Sequence, residues 1–93
     1  MLNDIVFRGI IDGQGRVVSF NIDEAAATLL IDVTTFPEKI EKDMNIAVNG
    51  VCLTVQSVDR DILTFRLWPA TLEKTNLRQL GPGMAVNLER NRY

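Results

Sequence analysis

The chain has no histidine and only one cysteine. Without histidine it lacks the usual general base at neutral pH and the commonest metal ligand, and one cysteine cannot close an internal disulfide. A histidine-based nucleophilic triad cannot be assembled, and no metal site is expected. Aromatic residues make up 6% of the chain, and 10 Lys and Arg face 12 Asp and Glu, for a formal net charge of −2. A phosphate-tracking surface needs a basic stripe, so nucleic acid is not an expected partner. No segment approaches the roughly twenty apolar residues of a membrane span. The start, Met1-Leu2-Asn3-Asp4, has neither the basic nor the apolar region of a signal peptide, so a soluble, cytoplasmic protein without a membrane partner is expected. Paired carboxylates in a recognisable motif and a glycine-rich phosphate loop leading into a helix are also missing.

What is present suits a small globular domain. At 93 residues with a hydrophobic share of 46%, residues 1–93 read as one ordered domain with one core. The most informative stretch is Asn49-Gly50-Val51-Cys52-Leu53-Thr54-Val55. Asn and Gly tolerate positive φ, so the pair marks a sharp bend or bulge. Val51, Leu53 and Val55 then share one face of a period-two strand, and Cys52, Thr54 and Gln56 share the other. Residues 45–48 are read as the start of that same strand.

Other strands follow from the same alternation. Ile5 to Ile11 is β-rich, and Asp12-Gly13-Gln14-Gly15 is either a bulged strand or a tight turn before Val17 to Phe20. Asn21 to Glu24 reads as a connection, and Ala26 to Val33 as a half-buried strand. Pro37 to Lys42 opens with proline and carries alternating charges, which predicts one or two helical turns on a solvated face. Asp59-Arg60-Asp61 marks a hairpin turn into Ile62 to Leu67. Trp68-Pro69 breaks the pattern, Ala70 to Leu80 reads as a short helix or helical turn packed against a barrel end, Gly81-Pro82-Gly83 ends it, and Met84 to Glu89 is the last strand. Five or six short strands with one helical insertion predict a closed or nearly closed antiparallel barrel.

The residues themselves leave the chemistry open. Cys52 is either a nucleophile or one of the many free cysteines that are simply buried. Thr54 either offers its hydroxyl to a ligand or serves strand propensity, and Trp68 either caps the core or walls a pocket.

Four segments, in order and with matching spacing, resemble one family. Phe7-Arg8-Gly9-Ile10-Ile11-Asp12-Gly13 resembles the Phe-Thr-Gly-Ile-Val-x-Gly start of riboflavin synthase and the related lumazine and yellow fluorescent proteins. Residues 49–55 resemble that family's Asn-Gly-x-Cys/Ser-Leu-Thr-Val strand, Thr71 to Leu77 its Thr-Leu-x-x-Thr-Asn-Leu segment, and Gly83 to Arg90 its Gly-x-x-Val-Asn-Leu-Glu-Arg closing strand. The resemblance implies an all-β, six-stranded antiparallel Greek-key barrel with one or two short helical segments, corresponding to the first of two family copies. It implies a cup for 6,7-dimethyl-8-ribityllumazine, riboflavin or FMN, with no cofactor required.

Carried over by position, Asn45, Cys52, Thr54, Trp68, Ala70 and Thr71 become the candidate ligand-binding residues, and Cys52 the one candidate catalytic residue. Trp68 departs from the smaller or polar residue usual there. Family enzymes move a four-carbon unit between two lumazines held in apposed barrels, so proximity is the catalytic device. The second barrel and a Ser-Gly-His segment do not occur before Tyr93, so the resemblance favours a binding barrel paired as a homodimer over an active riboflavin synthase. A nucleic-acid barrel of the OB type and a purely structural dimerisation module are the remaining alternatives.

Overall fold

The computed structural model describes residues 7–24 and 26–91. They form strands β1 (Gly13–Asp23), β2 (Ala26–Asp32), β3 (Asn45–Val48), β4 (Val51–Asp59), β5 (Ile62–Leu67) and β6 (Ala85–Arg90). Helix α1 (Pro69–Lys74) and a 3-10 turn at Leu77–Gln79 link β5 to β6. The strands close in the order β1-β2-β5-β4-β3-β6, and every pairing is antiparallel. β3, β4 and β5 are a meander and β6 returns beside β3, which is a Greek key. The expected six-stranded barrel is therefore the fold, and closure leaves its strands without open edges.

Strand periodicity fills the interior. Leu29, Ile31, Ile46, Val48, Val55, Leu63, Phe65 and Leu88 are fully enclosed, each at 0% exposure, so the barrel is packed solid. Each such side chain contributes roughly 1.5–3 kcal/mol relative to an exposed one. Phe36 and Ile40 from the β2–β3 connection, and Leu72, Leu77 and Leu80 from the β5–β6 connection, join the same core. With these side chains filling the barrel, the ligand-sized space lies on the outside of the sheet.

Of the two readings open for Gly13 and Gly15, the bulged strand holds: both lie inside β1, whose irregularity falls between Val17 and Ser19. A Cβ on Gly15 would lie 2.5 Å from Ile31 Cγ2 and 3.1 Å from Leu88 Cδ1, so glycine is there for close approach. Other local expectations change. Asn21 to Asp23, expected as a connection, continues β1 and pairs with β2 through Asn21↔Thr28, Ile22↔Ala27 and Asp23↔Ala26. Those residues are polar or exposed because this ribbon faces solvent, and exposure does not prevent pairing.

Residues 5 and 6 of the first expected strand lie outside the described residues, and 7–12 are not strand. This segment is instead pinned along β6. Arg8 and Gly9 donate their backbone N–H groups to the Glu89 carboxylate at 2.5 and 3.0 Å, and the Asp12 N–H donates to the Leu88 carbonyl at 2.9 Å.

Pro37 to Lys42 forms no helix. Phe36 and Ile40 are buried against the barrel, and that packing sets the path of the segment.

Asn49-Gly50 is a full chain reversal between β3 and β4, so residues 45–55 are two strands and not one. Both turn residues have positive φ, 49° and 85°, as a two-residue type I′ hairpin demands. The tip is stapled to β6: Asn49 Oδ1 accepts the Asn87 N–H at 2.7 Å, and the Asn49 N–H donates to the Asn87 carbonyl at 2.8 Å.

Candidate functional site

With the interior full, the outward faces of the strands decide where a site can form. Cys52, Thr54 and Gln56 project outward from β4 while Leu53 and Val55 point into the core. Arg66 projects outward from β5, between inward Phe65 and Leu67. At the end of β5, proline at the first position of α1 restricts the preceding residue to extended backbone. Trp68 accordingly has φ −85° and ψ 162°, and the residue is 61% exposed at the strand-to-helix corner.

These elements enclose a cleft of about 700 Å³, lined by Cys52, Thr54, Gln56, Arg66, Trp68 and Thr71 together with Lys42 and Asp43 from the turn before β3. Asp43 has φ 73°, and its N–H donates to the Val55 carbonyl at 2.9 Å, which fixes that turn beside β4.

The polar groups have defined orientations. Asn45 and Thr54 are cross-strand partners, and the Thr54 hydroxyl donates to Asn45 Oδ1 at 3.0 Å, leaving its oxygen lone pairs free to accept. Arg66 Nη1 donates to Thr28 Oγ1 at 2.8 Å, Arg66 Nη2 lies 3.8 Å from Asp23 Oδ2, and the guanidinium carbon stands 5.7 Å from the centre of the Trp68 ring.

Cys52 is exposed, contrary to the habit of free cysteines. Desolvation raises its thiol pKa, which lowers the thiolate fraction at neutral pH. That environment disfavours a nucleophile and suits a neutral wall or a weak hydrogen-bonding group. Among the described residues, no group of three or more His, Cys, Asp and Glu side chains is placed to hold a metal, and no helix is long and apolar enough to cross a membrane.

Of the six residues expected at the site, Cys52, Thr54, Trp68 and Thr71 line one cleft. Asn45 stands behind Thr54 and reaches the cleft only through its hydrogen bond, and Ala70 is exposed on α1 but outside the lining. Gln56 and Arg66 were legible as outward-facing by alternation but were not singled out. Lys42 and Asp43 carried no signal, since only the turn's path brings them beside β4.

The chain matches the family model described as lumazine binding domain over residues 8–91. It is 36% identical over 85 residues to riboflavin synthase of Bacillus subtilis (strain 168), covering 91% of this chain and 40% of that protein. It is 40% identical over 86 residues to riboflavin synthase of Mycobacterium tuberculosis, covering 91% of this chain and 43% of that one. The chain thus spans roughly two-fifths of the length of these relatives. Among solved structures, LumP complexed with riboflavin superposes with a TM-score of 0.88 at 25% identity, over 99% of this chain and 50% of that one. LumP complexed with 6,7-dimethyl-8-(1′-D-ribityl) lumazine superposes with a TM-score of 0.89 over 98% of this chain and 52% of that one, and at 24% identity speaks for the fold alone. A solid Greek-key barrel with an external cleft on β4, matched over nearly its whole length by one family model, belongs to the lumazine binding domain family.

Proposed function

We propose that the cleft binds 6,7-dimethyl-8-ribityllumazine or riboflavin, with FMN as a further ligand of the same ring chemistry. The observation that carries this reading is the convergence of Cys52, Thr54, Trp68 and Thr71 on one external cleft in a chain of this family. Trp68 offers a flat surface for a pteridine or isoalloxazine ring. Thr54, oriented by Asn45, offers an acceptor, and Thr71 with neighbouring Ala70 borders the ribityl chain. No cofactor is needed for binding. Titrating riboflavin while following Trp68 emission tests the reading; absence of both quenching and a ligand spectral shift at high micromolar concentration refutes it.

In this reading the chain is a cytoplasmic homodimer, a true two-fold axis replacing the pairing of two barrels within one polypeptide. Neither nucleic acid nor membrane is a partner, in keeping with the net charge of −2, which supplies no counter-charge to phosphates. Sedimentation of the chain with and without riboflavin measures the dimer.

The riboflavin synthase relatives support a second reading, that the chain is the N-terminal domain of a longer riboflavin synthase or acts as one by pairing two clefts. Transfer of a four-carbon unit requires two lumazines at near-attack distance, which one cleft alone does not provide. Incubating the chain with the lumazine and finding no riboflavin removes the active-dimer version.

A further inference from the structure

We propose that Arg66 is a positioning residue for ring binding, holding the Trp68 indole as a preformed stacking wall. The proposal rests on the ring-binding reading above and adds the side chain that makes the wall rigid.

Trp68 is 61% exposed, so packing alone leaves its ring room to swing. Its backbone is set by Pro69, but the proline constrains φ and ψ, not the indole torsions. The guanidinium carbon of Arg66 lies over the indole at 5.7 Å from its centre, within cation–π range. Arg66 is itself tied to the β1–β2 ribbon, through Thr28 Oγ1 at 2.8 Å and Asp23 Oδ2 at 3.8 Å. Contacts therefore run from Asp23 on β1 and Thr28 on β2 through Arg66 to Trp68, so that residues of two other strands bear on the ring's orientation. The planar guanidinium can serve both ends at once, stacking with its face while donating along its edge; a lysine ammonium can do only one well. A flat ligand meeting an already ordered indole avoids the entropy of immobilising it, so the Arg66 contact should appear in affinity without touching the ligand.

The chain has one tryptophan, so fluorescence anisotropy decay reads Trp68 directly, with or without ligand. In the ligand-free protein, Arg66→Gln is expected to increase the fast wobble of the indole, and Arg66→Lys to restore part of the order. Riboflavin should bind Arg66→Gln about threefold to tenfold more weakly. Adding Arg66→Gln to Trp68→Ala should cost no further affinity. Unchanged indole motion in Arg66→Gln overturns the proposal. So does an equal affinity loss in the Trp68→Ala background, which would mean that Arg66 contacts the ligand itself. If Arg66→Gln does not fold, the pair Asp23→Asn and Thr28→Val loosens the anchor while keeping the cation, and unchanged wobble there also overturns it. A wild-type chain that binds no riboflavin refutes the ring-binding reading alone, because the anisotropy comparison still decides the role of Arg66.

Discussion

Gly15→Ala offers a sharp test of how tightly this barrel is packed. The added Cβ would stand 2.5 Å from Ile31 Cγ2, 3.1 Å from Leu88 Cδ1 and 3.2 Å from the Asp32 carbonyl oxygen. Ile31 cannot yield cheaply: it is fully buried at 0% exposure, and its Cγ2 is attached to a β-branched carbon with little rotamer freedom. Overpacking of this kind costs about 1–3 kcal/mol, and the lower entropy of the unfolded alanine chain offsets up to ~1 kcal/mol of that. The net expectation is a loss of roughly 1–2 kcal/mol, or a melting temperature lower by about 4–16 °C for a domain of this size. Gly81→Ala is the control, since its Cβ would meet nothing within 4 Å. Both variants are compared by thermal and urea denaturation. If Gly15→Ala is as stable as Gly81→Ala, the close approach of β1 to Ile31 and Leu88 is not a constraint, and the steric account of this glycine fails.

Three further outcomes are expected. Asn49→Ala should lose about 1–2 kcal/mol by urea denaturation, chiefly from left-handed strain at φ 49°, with the exposed Asn87 N–H turning to water. Glu89→Gln should replace one of two acceptors with a donor opposite the Arg8 and Gly9 amides, and faster hydrogen exchange confined to that segment would show it. Cys52 should alkylate more slowly than a free thiol at pH 8, because desolvation raises its pKa, and bound riboflavin should slow it further. The sign for stability follows. A thiol that holds its proton more tightly in the folded state loses stability as pH rises above the unfolded thiol's pKa, so the wild type should lose stability relative to Cys52→Ala toward alkaline pH.

The barrel was legible in the sequence because inward and outward residues alternate cleanly, as in Leu63, Phe65 and Leu67 against Ile62, Thr64 and Arg66. The helical turns expected at Pro37 to Lys42 do not form: burial of Phe36 and Ile40 against the barrel sets the path of this segment, and the local charge alternation does not report it. At Gly13 and Gly15 a bulged strand and a turn were both open, since glycine marks turns and close approaches alike, and only the partner atoms distinguish them. At the candidate site, the outward face of β4 was readable from period-two spacing. The Lys42–Asp43 turn was not, being positioned by its hydrogen bond to Val55, a residue on another strand.

Local patterning alone therefore determined the strand faces, the helical insertion between β5 and β6, and the outward set of Cys52, Thr54 and Gln56, because side-chain direction along a strand follows from backbone geometry. Tertiary structure decided that the Asn49-Gly50 turn is stapled to β6, that the barrel is filled, and that the cleft lies outside it. It also decided that Arg66, anchored by Thr28 and Asp23, stands over Trp68. Such features depend on which distant segments share a volume, and no local period encodes that.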